Sequence, residues 1–127
     1  MRKIFYWFPR SIAALILLQT LFFKFTAAPE SVYIFSTLGL EPHGRIGIGI
    51  AELIASLLLL VPSLSVFGAT LAVGLMFGAI LSHLTTLGIV VQNDGGQLFI
   101  YALLTLVMAA ITVYQEKGTL ESLLQKR

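Results

Sequence analysis

The chain has 127 residues and a mass of 13.8 kDa, which is the size of one domain. Hydrophobic residues make up 57% of it, charged residues make up 11%, and the mean hydropathy is +0.94. A soluble domain has about 25% charged residues, so this composition excludes a soluble globule. The net charge of +2 without a basic patch excludes a nucleic-acid binder. The absence of cysteine excludes disulfides, thiol relays and iron–sulfur clusters.

Four apolar runs are long enough to cross a bilayer, which takes about 17–25 residues. They cover residues 11–28, 45–61, 66–90 and 97–114. None alternates between polar and apolar residues, so they predict spanning helices and not barrel strands. Short connections with proline and glycine favour antiparallel neighbours. The sequence therefore predicts an all-α integral membrane four-helix bundle, a single membrane domain in contact with the lipid bilayer.

Three segments connect or follow these runs. The segment 29–44 is too short to span the bilayer, and we expect an interfacial or re-entrant element there, with a plain loop as the alternative. Residues 93–96 have the sequence Asn-Asp-Gly-Gly, which is typical of a turn. The polar tail, residues 115–127, predicts a short surface helix.

The distribution of Lys and Arg predicts the orientation in the membrane. One side holds six basic residues and the other holds two, Lys24 and Arg45; the six are Arg2, Lys3, Arg10, Lys117, Lys126 and Arg127. Both termini should therefore be cytoplasmic, and an even number of spans agrees. The alternative is an N-terminal signal peptide cleaved after Ala28. Lys24 and Pro29 beside that position argue against cleavage.

Three ionisable residues lie within the predicted spans: Lys24, Glu52 and His83. Such residues cost about 2.5–3.5 kcal/mol to insert, so they usually face the bundle interior and have a function. At 1.5 Å per residue they lie about 6–10 Å below the non-cytoplasmic surface, and Tyr101 in the fourth span lies at a similar depth. We therefore predict a shared ligand-binding or proton-handling site, although depth alone does not fix the direction of each side chain.

Other interpretations of these residues stay open. The three ionisable groups could form a buried polar triad that fixes the register of the helices. Lys24 could instead extend its ammonium to the interface, and His83 could be a core histidine whose hydrogen bonds are made within the protein. Gly74, Gly78 and Ser82 recur every fourth residue and predict a helix-packing stripe, within one chain or in a homo-oligomer. Two histidines do not favour haem or another metal site, and the glycines of residues 44–49 lack the context of a nucleotide-binding loop.

Several of these features together resemble the DoxX-like family of small four-helix membrane proteins. They are Glu52 followed by LLLLVP, Gly68-Ala69, Gly78-Ala79, His83 in AILSHLTTLG, FFKF around Lys24, and STLGLEP. The resemblance covers roughly residues 10–114. It implies a multi-pass protein of the bacterial cytoplasmic (inner) membrane, in which Lys24, Glu52 and His83 are the matching polar residues. It also implies a link to redox metabolism, since some members are described as the membrane subunit of a thiosulfate:quinone oxidoreductase.

Residues and resemblance together favour an auxiliary membrane subunit rather than an independent enzyme. With no cysteine and one histidine within a span, the chain is not expected to hold a redox centre by itself. It would bind a quinone or another amphipathic molecule for a redox partner protein, and no other cofactor is implied. The alternatives are a structural or assembly protein without a ligand and a small proton-coupled carrier that acts as an oligomer.

Overall fold

The computed structural model describes residues 2–26, 28–41, 43–90 and 95–116. Five α-helices occur in these ranges, and a 3₁₀ turn at Pro62–Leu64 and a π-helical turn at His83–Leu87 flank the fourth. The helices are α1 (Arg2–Phe25), α2 (Pro29–Thr37), α3 (His43–Leu60), α4 (Ser65–Ser82) and α5 (Gln97–Gln115). The described residues include no strand.

Four helical segments are long and apolar enough to cross a membrane: Ile4–Phe25, His43–Leu60, Pro62–Leu87 and Gln97–Gln115. Only 22% to 33% of the most apolar window of each segment is buried inside the chain. The large apolar side chains on the remaining surface are suited to contact with lipid. The predicted all-α membrane bundle is therefore confirmed.

The four long helices pack in a closed ring in the order α1, α3, α4, α5. Antiparallel neighbours place the start of α1, the α3–α4 connection and the end of α5 together, and we call this the terminal end of the bundle. The other end, where α2 and the π-helical turn lie, is the distal end. Which end faces the cytoplasm stays a prediction.

Small side chains dominate the core, which lets the helices approach closely. The fully buried residues include Ala13, Leu17, Ala55, Leu59, Ala69, Ala72 and Ala109. Helices α3 and α4 approach each other closely at Gly68 on α4. A Cβ atom there would lie 2.6 Å from the backbone nitrogen of Leu59 and 2.8 Å from the carbonyl oxygen of Ala55. Gly68 is thus the residue that lets α3 and α4 pack backbone to backbone.

The predicted packing stripe at Gly74, Gly78 and Ser82 is wrong for contacts within the chain. A Cβ atom added at Gly74 or Gly78 would have no neighbour within 4 Å. The Ser82 hydroxyl donates to the carbonyl of Gly78, 2.9 Å away in its own helix. Periodic small residues show that a helix has a smooth face, but they do not show what lies opposite that face.

The first helix begins at Arg2, ahead of the predicted span, and continues through Pro9. Proline has no N–H, so the carbonyl of Phe5 loses its usual partner one turn later. The side-chain amide of Gln115 donates to that carbonyl at 2.8 Å. A hydrogen bond from α5 therefore replaces the one that Pro9 cannot make.

The other segments also differ in detail from the predictions. The π-helical turn ends the third span at Leu87, and Gly88 follows with a φ of +80°. The short helix α2 packs against α1 and α3, so a plain loop is wrong for Pro29–Thr37. Gly95 and Gly96, both with positive φ, precede α5. Residues 93–94 of the predicted turn and residues 117–127 of the predicted tail lie outside the described residues.

Gly68→Ala is expected to destabilise the bundle by about 1–3 kcal/mol, since the added methyl group forces α3 and α4 apart. Gly74→Ala is the matched control, because it adds the same group to the same helix where there is open space. The control should be neutral or stabilising by up to about 1 kcal/mol, from the higher helix propensity of Ala. Equilibrium unfolding of both variants in mixed detergent micelles measures the difference, and equal effects would contradict this account.

Candidate ligand-binding cavity

A buried ion pair joins α1 and α3 in the distal half of the bundle. The Lys24 Nζ lies 2.8 Å from Glu52 Oε1, and the Thr20 hydroxyl lies 3.3 Å from Glu52 Oε2. Only 2% of the Glu52 side chain and 15% of the Lys24 side chain are exposed. A carboxylate so deeply buried needs a cation or hydrogen-bond donors to remain charged. Thr20 was not predicted, although it lies one helical turn before Lys24 on the same face.

Arg45 fixes the end of α1 that carries Lys24. Its guanidinium donates to the carbonyl oxygen of Lys24, and its Nε lies 2.8 Å and 3.0 Å from the two carboxylate oxygens of Glu41. The last carbonyls of a helix lack partners within the helix, so Arg45 satisfies one of them. The pairing of Arg45 with Glu41 was not predicted, although their four-residue spacing is typical of an ion pair.

His83 begins the π-helical turn and is 5% exposed. Its Nδ1 lies 2.9 Å from the carbonyl oxygen of Gly88, and the backbone N–H of Gly88 donates to the carbonyl of His83 at 2.8 Å. The ring also meets Phe99 edge to face, with 5.5 Å between the centroids. The histidine side chain is therefore held by the turn that it starts and by one aromatic neighbour from α5.

Tyr101 lies in the first part of α5 and is partly buried. The side-chain amide of Gln97 donates to its hydroxyl oxygen at 2.9 Å. Because the hydroxyl accepts this hydrogen bond, its own hydrogen can still be donated elsewhere.

Lys24, Glu52, His83 and Tyr101 all line one partly enclosed cavity of about 790 Å³. This volume is within the range of about 300–1,000 Å³ that is usual for small-molecule sites. Most of the lining is apolar. It includes Ile16, Leu17 and Phe23 of α1, Ile34 and Phe35 of α2, Leu38 after α2, and Leu75, Met76 and Ala79 of α4. The structure thus brings the four predicted residues to one cavity. Their role in binding a ligand stays a prediction.

Gly74, Gly78 and Ser82 form part of the cavity wall. The two glycines have no side chains to fill the space before them, and this explains why the face of α4 that carries them opens onto a cavity. Gln19 and Ser31 also line it and were not predicted. Within the described ranges, no group of three His, Cys, Asp or Glu side chains could hold a metal ion.

A family model described as the DoxX-like family matches residues 10–112. The chain belongs to the DoxX-like family. The resemblance carried by the sequence motifs is therefore confirmed over most of the chain. No curated protein and no solved structure matches this DoxX-like chain. The family membership establishes a membrane protein, whereas the ligand has to be inferred from the cavity.

Proposed function

We propose that this DoxX-like protein is an auxiliary membrane subunit that binds an amphipathic, quinone-like molecule in the distal cavity. The observation that carries the proposal is a cavity of about 790 Å³ with a largely apolar wall and a few polar side chains. Small-molecule sites combine a hydrophobic lining with a few polar groups that orient the ligand. A ligand with a polar ring and an apolar tail satisfies both parts of this lining.

The residues present are suited to a quinone. Its carbonyl oxygens need hydrogen-bond donors, and the Tyr101 hydroxyl and the Lys24 ammonium can both donate into the cavity. Ile34 and Phe35 of α2, and Leu38 directly after it, offer apolar surface for a prenyl tail. A bound quinone would carry electrons to or from a partner protein, while this chain would bind the molecule, orient it and shield it from water.

A structural role without a ligand is the second candidate, because Glu52 pairs directly with Lys24. Such a pair can fix the register of two helices. A purely structural bundle, however, would gain stability from filling the space that Gly74 and Gly78 leave open. The cavity therefore favours ligand binding over a structural role alone.

Under this proposal the terminal end faces the cytoplasm of a bacterium and the cavity lies in the outer half of the inner membrane. The excess of basic residues at the terminal end supports this orientation. A redox partner protein and a homo-oligomer are further parts of the proposal. The outward-facing apolar helices would provide the contact surface for either.

Gly78→Leu is expected to weaken quinone binding at least about tenfold, because a leucine side chain occupies the cavity. Gly47→Leu is the matched control. Gly47 is also helical with open space around it, but it does not line the cavity. Titration of purified protein with decylbenzoquinone, and native mass spectrometry for bound quinone, measure the effect. Equal binding by Gly78→Leu, Gly47→Leu and the wild type would show that the cavity is not the site.

A further inference from the structure

We propose that the cavity prefers a headgroup with a hydroxyl group to one with only carbonyl or ether oxygens, and that His83 sets this preference. The inference rests on the proposed ligand-binding function and adds the hydrogen-bonding character of the headgroup. The preference follows from the ring nitrogen of His83, Nε2, that makes no hydrogen bond within the described part of the chain.

The Gly88 carbonyl determines which ring nitrogen of His83 carries the hydrogen. A carbonyl oxygen can only accept, so the 2.9 Å contact places the hydrogen on Nδ1. The neutral ring has one such hydrogen, and Nε2 then presents a lone pair.

The backbone holds Nδ1 of His83 against this carbonyl. The π-helical turn His83–Leu87 closes when the Gly88 N–H donates to the carbonyl of His83 at 2.8 Å. The positive φ of Gly88 then directs its own carbonyl back to the histidine ring. Within the described part of the chain, the His83 side chain has no second hydrogen-bond partner, and it lines the cavity. Turns of π-helix are rare in proteins, but those that occur are often found at functional sites. The turn at His83 therefore agrees with a ligand-facing role.

The other polar groups complete the pattern. The hydroxyl of Tyr101 accepts from Gln97 and can donate to a ligand, whereas Nε2 of His83 can only accept. A headgroup hydroxyl both accepts and donates, so it can use either group. A carbonyl or ether oxygen only accepts and would leave Nε2 of His83 without a partner. An acceptor that loses its water and gains no partner weakens binding.

The experiment compares para-decylphenol with its methyl ether, since the ether keeps the ring, the tail and the oxygen but lacks the hydrogen. We expect the wild-type protein in detergent micelles to bind the phenol about tenfold more tightly. The asparagine of His83→Asn can still donate to the Gly88 carbonyl, but it has no acceptor at the position of Nε2. This variant should therefore bind both probes with nearly equal affinity. His43→Asn, at an exposed position outside the cavity lining, should keep the preference.

Tyr101→Phe is a second variant that does not touch the turn. It removes a donor that both probes can use, so both affinities should fall while their ratio stays. Equal affinity of the wild type for the two probes, or a preference that survives in His83→Asn, would overturn the assignment of His83 and leave the cavity as a binding site. Failure of the wild type to bind either probe or decylbenzoquinone would overturn the proposed function and this inference with it.

Discussion

Lys24→Met is expected to lower the free energy of unfolding by about 3–5 kcal/mol, the largest effect of any single substitution considered. The methionine leaves the Glu52 carboxylate, which is 2% exposed, without its cation. Thr20 remains as a donor, but one hydroxyl does not replace the charge. Unfolding by sodium dodecyl sulfate in mixed micelles, followed by circular dichroism, measures the loss.

Glu52→Gln should be clearly less destabilising than Lys24→Met, and this asymmetry is the sharper test. The lysine side chain is 15% exposed and long enough to move its ammonium towards the interface, whereas the glutamate cannot reach water. The double variant Lys24→Met, Glu52→Leu should recover much of the stability, since it removes both charges. A Lys24→Met variant as stable as the wild type would show that the pair does not hold α1 against α3.

Arg10→Met is expected to destabilise the bundle by about 2–3 kcal/mol through the terminal end. Arg10 is completely buried, and its guanidinium donates to Glu116 at 3.2 Å and to Gln115 at 3.0 Å. The guanidinium carbon also lies 3.5 Å from the centroid of the Tyr6 ring, in a cation–π contact. These contacts join the start of α1 to the end of α5.

A double-mutant cycle of Arg10→Met with Glu116→Gln separates the ion pair from the other contacts. Arg10→Lys should recover only part of the lost stability. The planar guanidinium donates to two acceptors while it stacks on Tyr6, and the compact ammonium of lysine cannot do both. Hydrogen exchange should show faster opening of the last turn of α5 in Arg10→Met. Unchanged exchange at Gln115 would contradict a role of Arg10 in closing the terminal end.

The candidate site shows which features of a membrane protein can be predicted from its sequence. The rise of a helix fixes depth, so the sequence could place Lys24, Glu52, His83 and Tyr101 in the same half of the bundle. Rotation about each helix axis depends on which faces pack together, and apolar residues on all sides of a helix leave that rotation open. The structure determines the rotation and turns all four residues toward one cavity.

The differences between predicted and observed contacts have the same physical origin. Gly68 and Gly74 have the same side chain in the same helix, yet only Gly68 meets the backbone of α3. In the sequence, Arg10 is one of six basic residues that predict the cytoplasmic side of the protein. Its burial depends on Gln115 and Glu116, which are more than a hundred residues away along the chain. Such contacts leave no local pattern in the sequence.

The membrane environment, the number of spans and the family of this protein were all predictable from the sequence, because they follow from composition, run length and ordered motifs. It also placed Lys24, Glu52 and His83 within the predicted spanning helices, whereas Arg10 joins them because the first span begins at Ile4. Three features are visible only in the folded bundle: Glu52 pairs with Lys24, a π-helical turn holds His83, and two glycines open a cavity instead of closing a contact. These features depend on distances between helices and on the direction of side chains, which packing of the whole bundle fixes.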